Sequence, residues 1–157
     1  MSEVRIRPFR SGDFEALYRI DQVCFARGIA YGRAELRFYL ALHGAECFVA
    51  EADEEIAGFV ITESDQTEAH VVTLDVLQRF RRRGTGSQLL ARAEESFASR
   101  GVEWVWLETA TTNEAAIAFW QKHGYRQSRE ILRGYYGRGG DAYQMRKRLA
   151  QLMAGNP

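Results

Sequence analysis

The sequence predicts an α/β domain, a mixed central sheet of about seven strands with helices on both faces. Two observations carry that expectation. Segments of β-branched or alternating character interleave with segments of helical spacing in the order strand, two helices, three strands, helix, strand, helix, two strands. At Thr73–Leu90 a strand, a basic glycine turn and an amphipathic helix follow one another directly, so the chain passes from sheet to helix within a few residues.

Each element has its own signal. Val4 to Pro8 alternates polar and apolar residues as a strand does, and Ser11 to Asp13 is a helix start. Phe14, Leu17, Tyr18, Ile20 and Cys24 then follow helical spacing. Arg27 to Gly32 reads as a loop with an apolar tip, and a helix from Arg33 to His43 turns Leu36, Tyr39 and Leu40 inward. Cys47 to Glu51, Ile56 to Glu63 and Ala69 to Val76 read as strands joined by short acidic turns, the pattern of an antiparallel meander. Leu89, Leu90, Ala93 and Phe97 mark the next helix, which should stop after Arg100 on Gly101. Val102 to Thr109 is a strand carrying Trp104 and Trp106, and Asn113 to His123 is a helix closed by Gly124. Tyr125 to Tyr136 and Ala142 to Leu149 read as the last two strands. Residues 150–157 are expected to fray, and a single domain is expected over 1–157.

Composition narrows the function. Hydrophobic residues make up 46% and charged residues 27%, as in ordinary globular chains, and no apolar run is long enough to cross a bilayer. Lys plus Arg and Asp plus Glu both number 21, so no broad field marks nucleic acid as a partner; the positive charge is local, at Arg79 to Arg83. Cys24 and Cys47 show no metal-ligand spacing and are expected to be free thiols in a reducing compartment. The N-terminus lacks the apolar core of a secretory signal, and a cytoplasmic location with no metal is expected. His43, His70 and His123 stand isolated in the sequence and are assigned helix-end, strand and helix-cap places.

The basic turn is the first chemical feature. Arg81, Arg82, Arg83, Gly84, Thr85, Gly86 and Ser87 sit where a helix begins. Free N–H groups there, together with the positive end of the helix dipole, attract phosphate oxygens, and glycines let the backbone come close. Neither the Walker A pattern nor a three-glycine dinucleotide loop is present.

An arginine, two residues, Gly84, one residue and Gly86 instead resembles the pyrophosphate loop of the GCN5-related N-acetyltransferases (GNAT), which hold acetyl-coenzyme A. The element order matches that fold along nearly the whole chain. A second block, Leu107 to Tyr125, resembles the family's other signature, especially in its RimI-like branch of protein N-terminal acetyltransferases. The resemblance implies that the fourth and fifth strands, Ala69–Val76 and Val102–Thr109, splay apart and admit the pantetheine arm. It implies acetyl-coenzyme A as cosubstrate and an amine acceptor, most simply a peptide or protein N-terminus. Small-molecule amines or lysine, and a non-catalytic acyl-coenzyme A binding module, remain as alternatives. An RNA-binding turn ranks behind them, no membrane partner is implied, and both monomer and homodimer stay open.

Carried over residue by residue, the resemblance puts the backbone of Leu74, Asp75 and Val76 beside the thioester, Arg81 to Ser87 around the pyrophosphate, and Asn113 on the cofactor arm. An amide near Val76 would polarise the thioester carbonyl. Glu108 matches the general base, since an attacking amine must lose a proton. Asp75 is a rival, but strand alternation points its side chain away from the face of Leu74 and Val76. Trp120 departs from the family, whose tyrosine there protonates the leaving thiolate; an indole N–H donates a hydrogen bond but no proton. Tyr135 and Tyr136 match the residues lining the acceptor slot, either of which can serve as the missing acid, and Tyr31 would face the same slot from a loop that departs from the family's pattern.

Overall fold

The computed structural model describes residues 3–149, and the expected C-terminal tail lies outside them. The strands are β1 (Arg5–Pro8), β2 (Ala45–Ala52), β3 (Glu55–Ser64), β4 (Glu68–Val76), β5 (Trp104–Ala110), β6 (Arg126–Leu132) and β7 (Ala142–Arg148). The helices are α1 (Phe14–Cys24), α2 (Arg33–Ala41), α3 (Thr85–Ser99) and α4 (Glu114–Lys122). The seven strands form one sheet in the order β1-β2-β3-β4-β5-β7-β6. β1 to β4 are antiparallel neighbours, as the meander signals require, and β4 meets β5 in parallel through the α3 crossover.

Two cores flank the sheet. α3 and α4 bury Leu89, Leu90, Ala93, Phe97 and Trp120 against Val60, Val71, Val76, Val105 and Leu107 on one face. α1 and α2 bury Leu17, Ile20 and Leu36 against Val49, Phe59 and Ile61 on the other. Both sets occupy successive turns of one helix stripe, so hydrophobic burial explains why these segments are helices where they are. Asp13 starts α1: its carboxylate accepts the Arg10 N–H at 2.7 Å and the two terminal Arg7 guanidinium nitrogens at 2.8 and 2.9 Å.

One irregularity shapes the sheet. Ile61 faces Thr73 while Thr62 faces Val71, so Val72 is an extra residue and β4 carries a bulge. A bulged strand bends, and β4 bends where it leaves β5. The parallel pairing runs over Glu68–Trp104, Ala69–Val105 and His70–Trp106, after which the strands part. The splay implied by the family resemblance is present, with its apex at His70 and Trp106.

Two expected boundaries move. The second helix ends at Ala41, with Leu42 already extended, short of His43. The strand expected over Tyr125–Tyr136 stops at Leu132 because Gly134 and Gly137 take positive φ and the Gly134 N–H bonds the Asp141 carboxylate at 2.8 Å. Tyr135 and Tyr136 therefore stand on a loop rather than in a sheet. The helix expected over Asn113–His123 is present, with Asn113 as its cap, and both cysteines are free.

Candidate active site

The gap between β4 and β5 is the centre of the site. Leu77 donates its N–H to Ala57 of β3, so antiparallel alternation also commits the backbone of Asp75 and Thr73 to β3 and turns the N–H and C=O groups of Leu74 and Val76 toward the gap. Asp75 thus turns its backbone groups toward β3, and its side chain is buried. A cavity of about 250 Å3 fills the space, walled by Leu74, Leu107, Glu108, Asn113, Trp120 and Tyr136 among others.

The basic turn closes one end. Gly84 caps α3 with φ 79°, a left-handed conformation that side chains resist, and the space where a Cβ would lie is open. Gly86 packs differently: a Cβ there would meet the Phe119 ring at 3.2 Å, so its absence lets α3 and α4 approach. The turn therefore presents bare backbone at a helix N-terminus, which fits a pyrophosphate. Not every side chain of the turn is free for that ligand. Arg81 folds back, its Nε donating to the Val76 carbonyl at 2.8 Å. Thr85 is buried and donates its hydroxyl to Phe80 O at 3.2 Å. Ser87 Oγ lies 2.9 Å from His123 Nε2. Asn113, on the cavity wall, accepts the Ala116 N–H on its Oδ1 at 3.1 Å.

The other end holds the ionisable groups. Glu108 follows the last parallel rung by two residues on β5 and so projects on the same face as Trp106. Its Oε1 lies 2.5 Å from His70 Nε2 and accepts the Tyr135 hydroxyl at 3.2 Å. His70, taken above as isolated, is joined to Glu108 and stands 3.6 Å from Glu63. Burial alone would lower its pKa, but the bond to Glu108 and the charges of Glu108 and Glu63 outweigh burial and hold it above the ordinary histidine range. Tyr136 lines the cavity; burial and the Glu108 charge push its pKa up to about 12, so its hydroxyl stays protonated at neutral pH.

Tyr31 enters from the α1–α2 loop, its hydroxyl 3.5 Å from Val72 O and its ring edge-on to Tyr39 at 5.2 Å. The three tyrosines and Glu108 thus come together. Trp120 also reaches the cavity, yet it is only 7% exposed and packs edge-on against Phe119 and Tyr125. A larger open groove of about 850 Å3 lies on the far side of His70, bounded by Glu63 and Trp106.

A parted parallel strand pair, backbone amides facing the gap, a glycine-opened helix start and a carboxylate at the apex define an acyl-transferring enzyme that uses a nucleotide-linked thioester. The model of the acetyltransferase (GNAT) family matches residues 14–125, and the chain belongs to that family. An N-alpha-acetyltransferase of Sulfurisphaera tokodaii is 30% identical over 91% of this chain and 92% of its own length. Among solved structures, Ard1 from Thermoplasma volcanium superposes with a TM-score of 0.85 at 28% identity, covering 94% of this chain and 98% of its own. The ribosomal-protein-S18-alanine N-acetyltransferase of Escherichia coli gives 0.84 at 26% identity, covering 94% and 95%. The protein is an N-acetyltransferase of the GNAT fold, and its resemblance to the RimI-like branch holds.

Proposed function

We propose that this enzyme transfers acetyl from acetyl-coenzyme A directly to the α-amine of a peptide or protein. The observation that carries the reading is Glu108 at the apex of the gap, paired with His70 and surrounded by Tyr31, Tyr135 and Tyr136. Acetyl-coenzyme A supplies an activated thioester; the chain supplies position and proton handling. Amides of the α3 start hold the pyrophosphate, and the N–H groups of Leu74 and Val76 face the place where negative charge develops on the carbonyl oxygen. Glu108 accepts the proton that the amine gives up, while His70 fixes the carboxylate's orientation. The Tyr136 hydroxyl is the hydrogen-bond donor for the departing sulfur, and Trp120 shapes the wall beside it. Tyr31 and Tyr135 border the acceptor and favour extended backbone carrying a free amine at its end.

A panel of short peptides and of small amines, incubated with radiolabelled acetyl-coenzyme A, tests this. Acetylation is expected on the peptide α-amines. Label found only on polyamines, amino acids or lysine side chains overturns the acceptor assignment.

A further inference from the structure

Beside the acyl gap, on the face of the sheet covered by α1 and α2, two carboxyl groups meet without a cation between them. Asp75, between the two gap-facing residues of β4, is 1% exposed, and Asp21 of α1 is 0% exposed. Each spends one oxygen on a fixed bond. Asp75 Oδ1 accepts the Thr73 hydroxyl at 2.5 Å, and Asp21 Oδ2 accepts the backbone N–H of Tyr31 at 2.6 Å. The other oxygens, Asp21 Oδ1 and Asp75 Oδ2, have no donor, although the two side chains are within hydrogen-bonding reach of each other. Two ionised carboxylates can only accept, so one proton between them is what the geometry lacks.

We infer that Asp21 and Asp75 share a proton and act together as positioning residues, clamping the Tyr31 loop of the acceptor slot to the strand that aligns the thioester. The inference rests on the acceptor reading given above. Gln22 strengthens the clamp by donating to the Tyr31 carbonyl at 2.7 Å, so both backbone groups of Tyr31 are held from α1. The charged and titratable groups around the pair are Arg81, Cys24, Cys47, Tyr31 and Glu35. Arg81 is a cation whose charge acts on Asp75, and its guanidinium donates to the Val76 carbonyl and Cys24 Sγ. Burial raises both carboxyl groups above the ordinary aspartate range, in agreement with a retained proton. Removing that proton places two negative charges side by side in an apolar interior, and α1 with its loop is driven off β4.

Asp75→Asn and Asp21→Asn each install a permanent N–H donor where the proton lies, whereas Asp75→Ala removes the clamp. The acceptor KM of the wild type is expected to rise at alkaline pH while kcat changes little. Both Asn variants should hold the neutral-pH KM within about twofold and lose the alkaline rise; Asp75→Ala should raise KM about tenfold at neutral pH, the size of one lost hydrogen bond to a charged group. Infrared spectra of the folded protein should show a protonated-carboxyl stretch that both Asn variants lose, a readout independent of turnover and of which amine is the acceptor. An alkaline rise in KM that persists in the Asn variants, or an infrared band unchanged by them, overturns the clamp. Wild-type activity confined to small amines overturns the peptide assignment instead and leaves the infrared result standing.

Discussion

His70 Nε2 stands 2.5 Å from Glu108 Oε1 across the point where β4 and β5 separate, tying the two strands together at the apex of the gap. The bond gives Glu108 a fixed direction and gives the pH profile a second titrating group. Glu108→Gln should lower kcat/KM by about a hundredfold or more, since a positioned base is lost. Calorimetry should find its coenzyme A affinity unchanged. A protonated His70 holds the Glu108 carboxylate in an ion pair and competes with the amine proton. kcat/KM should therefore climb as His70 loses its proton, with a midpoint above its unperturbed 6.5 because the neighbouring carboxylates favour the charged ring. His70→Gln should move that limb to lower pH while keeping most of the activity at high pH. A limb that stays in place in His70→Gln assigns it to another group.

Much of this site was legible in the chain because its parts are local. The basic glycine turn is read from consecutive residues, and Glu108 and Asn113 fall within one short block. What escaped was long-range. His70 and Glu108 are 38 residues apart, and only the parallel register that sets His70 beside Trp106 reveals them as neighbours. That register was the usable signal: once the crossover makes β4 and β5 parallel, a histidine at the apex must lie near a residue two positions past its partner. Asp21 and Asp75 meet across two elements in the same way. The Tyr135–Tyr136 pair was misplaced for a local reason, since β-favouring aromatics hid the turn forced by Gly134 and Gly137.

The phosphate site separates backbone strain from ligand exclusion at one residue. Gly84 has φ 79° with open space around its absent Cβ, so Gly84→Ala should cost about 1 kcal/mol of stability and leave coenzyme A binding nearly intact. Gly84→Glu suffers the same strain and adds a carboxylate where phosphate oxygens belong. It should weaken coenzyme A binding by about a hundredfold or more. Urea titration and calorimetry on both variants distinguish the two effects. Equal affinities in Ala and Glu would remove the pyrophosphate from this turn.

Asp13 gives a prediction about stability away from the chemistry. Its carboxylate is held below the ordinary aspartate range, first by the Arg7 hydrogen bonds and further by the Arg10 N–H, against an opposing effect of burial. A carboxylate depressed in the folded state contributes stability above its unfolded pKa, about 3.9, and that contribution is lost as pH falls through the lower folded value. Asp13→Asn should therefore lower stability at pH 7 by about 2 kcal/mol and flatten the acid limb of the stability profile. Thermal melts between pH 2 and 7 measure this. The acetylation rate of the folded variant should match the wild type, because the pair lies at the β1 end of the sheet, three strands from the gap.

Trp120 and Tyr136 share a wall of the cavity but do different work, and paired substitutions tell them apart. Trp120 packs edge-on to Tyr125 with centroids 5.2 Å apart and is 7% exposed, so its bulk belongs to the core. Tyr136 presents a hydroxyl that remains protonated because burial and the Glu108 charge push its pKa up to about 12. Trp120→Phe should keep most of kcat at a modest loss of stability, whereas Trp120→Ala should cost about 3 kcal/mol and leave a weakened fold. Tyr136→Phe should lower kcat about tenfold through the lost hydrogen bond to the leaving sulfur, with the melting temperature little changed. The effect should shrink when a better leaving thiol replaces coenzyme A, because a thiolate that departs easily has less need of a donor. The reverse pattern, a large kcat loss in Trp120→Phe and none in Tyr136→Phe, would transfer the donor role to the indole N–H.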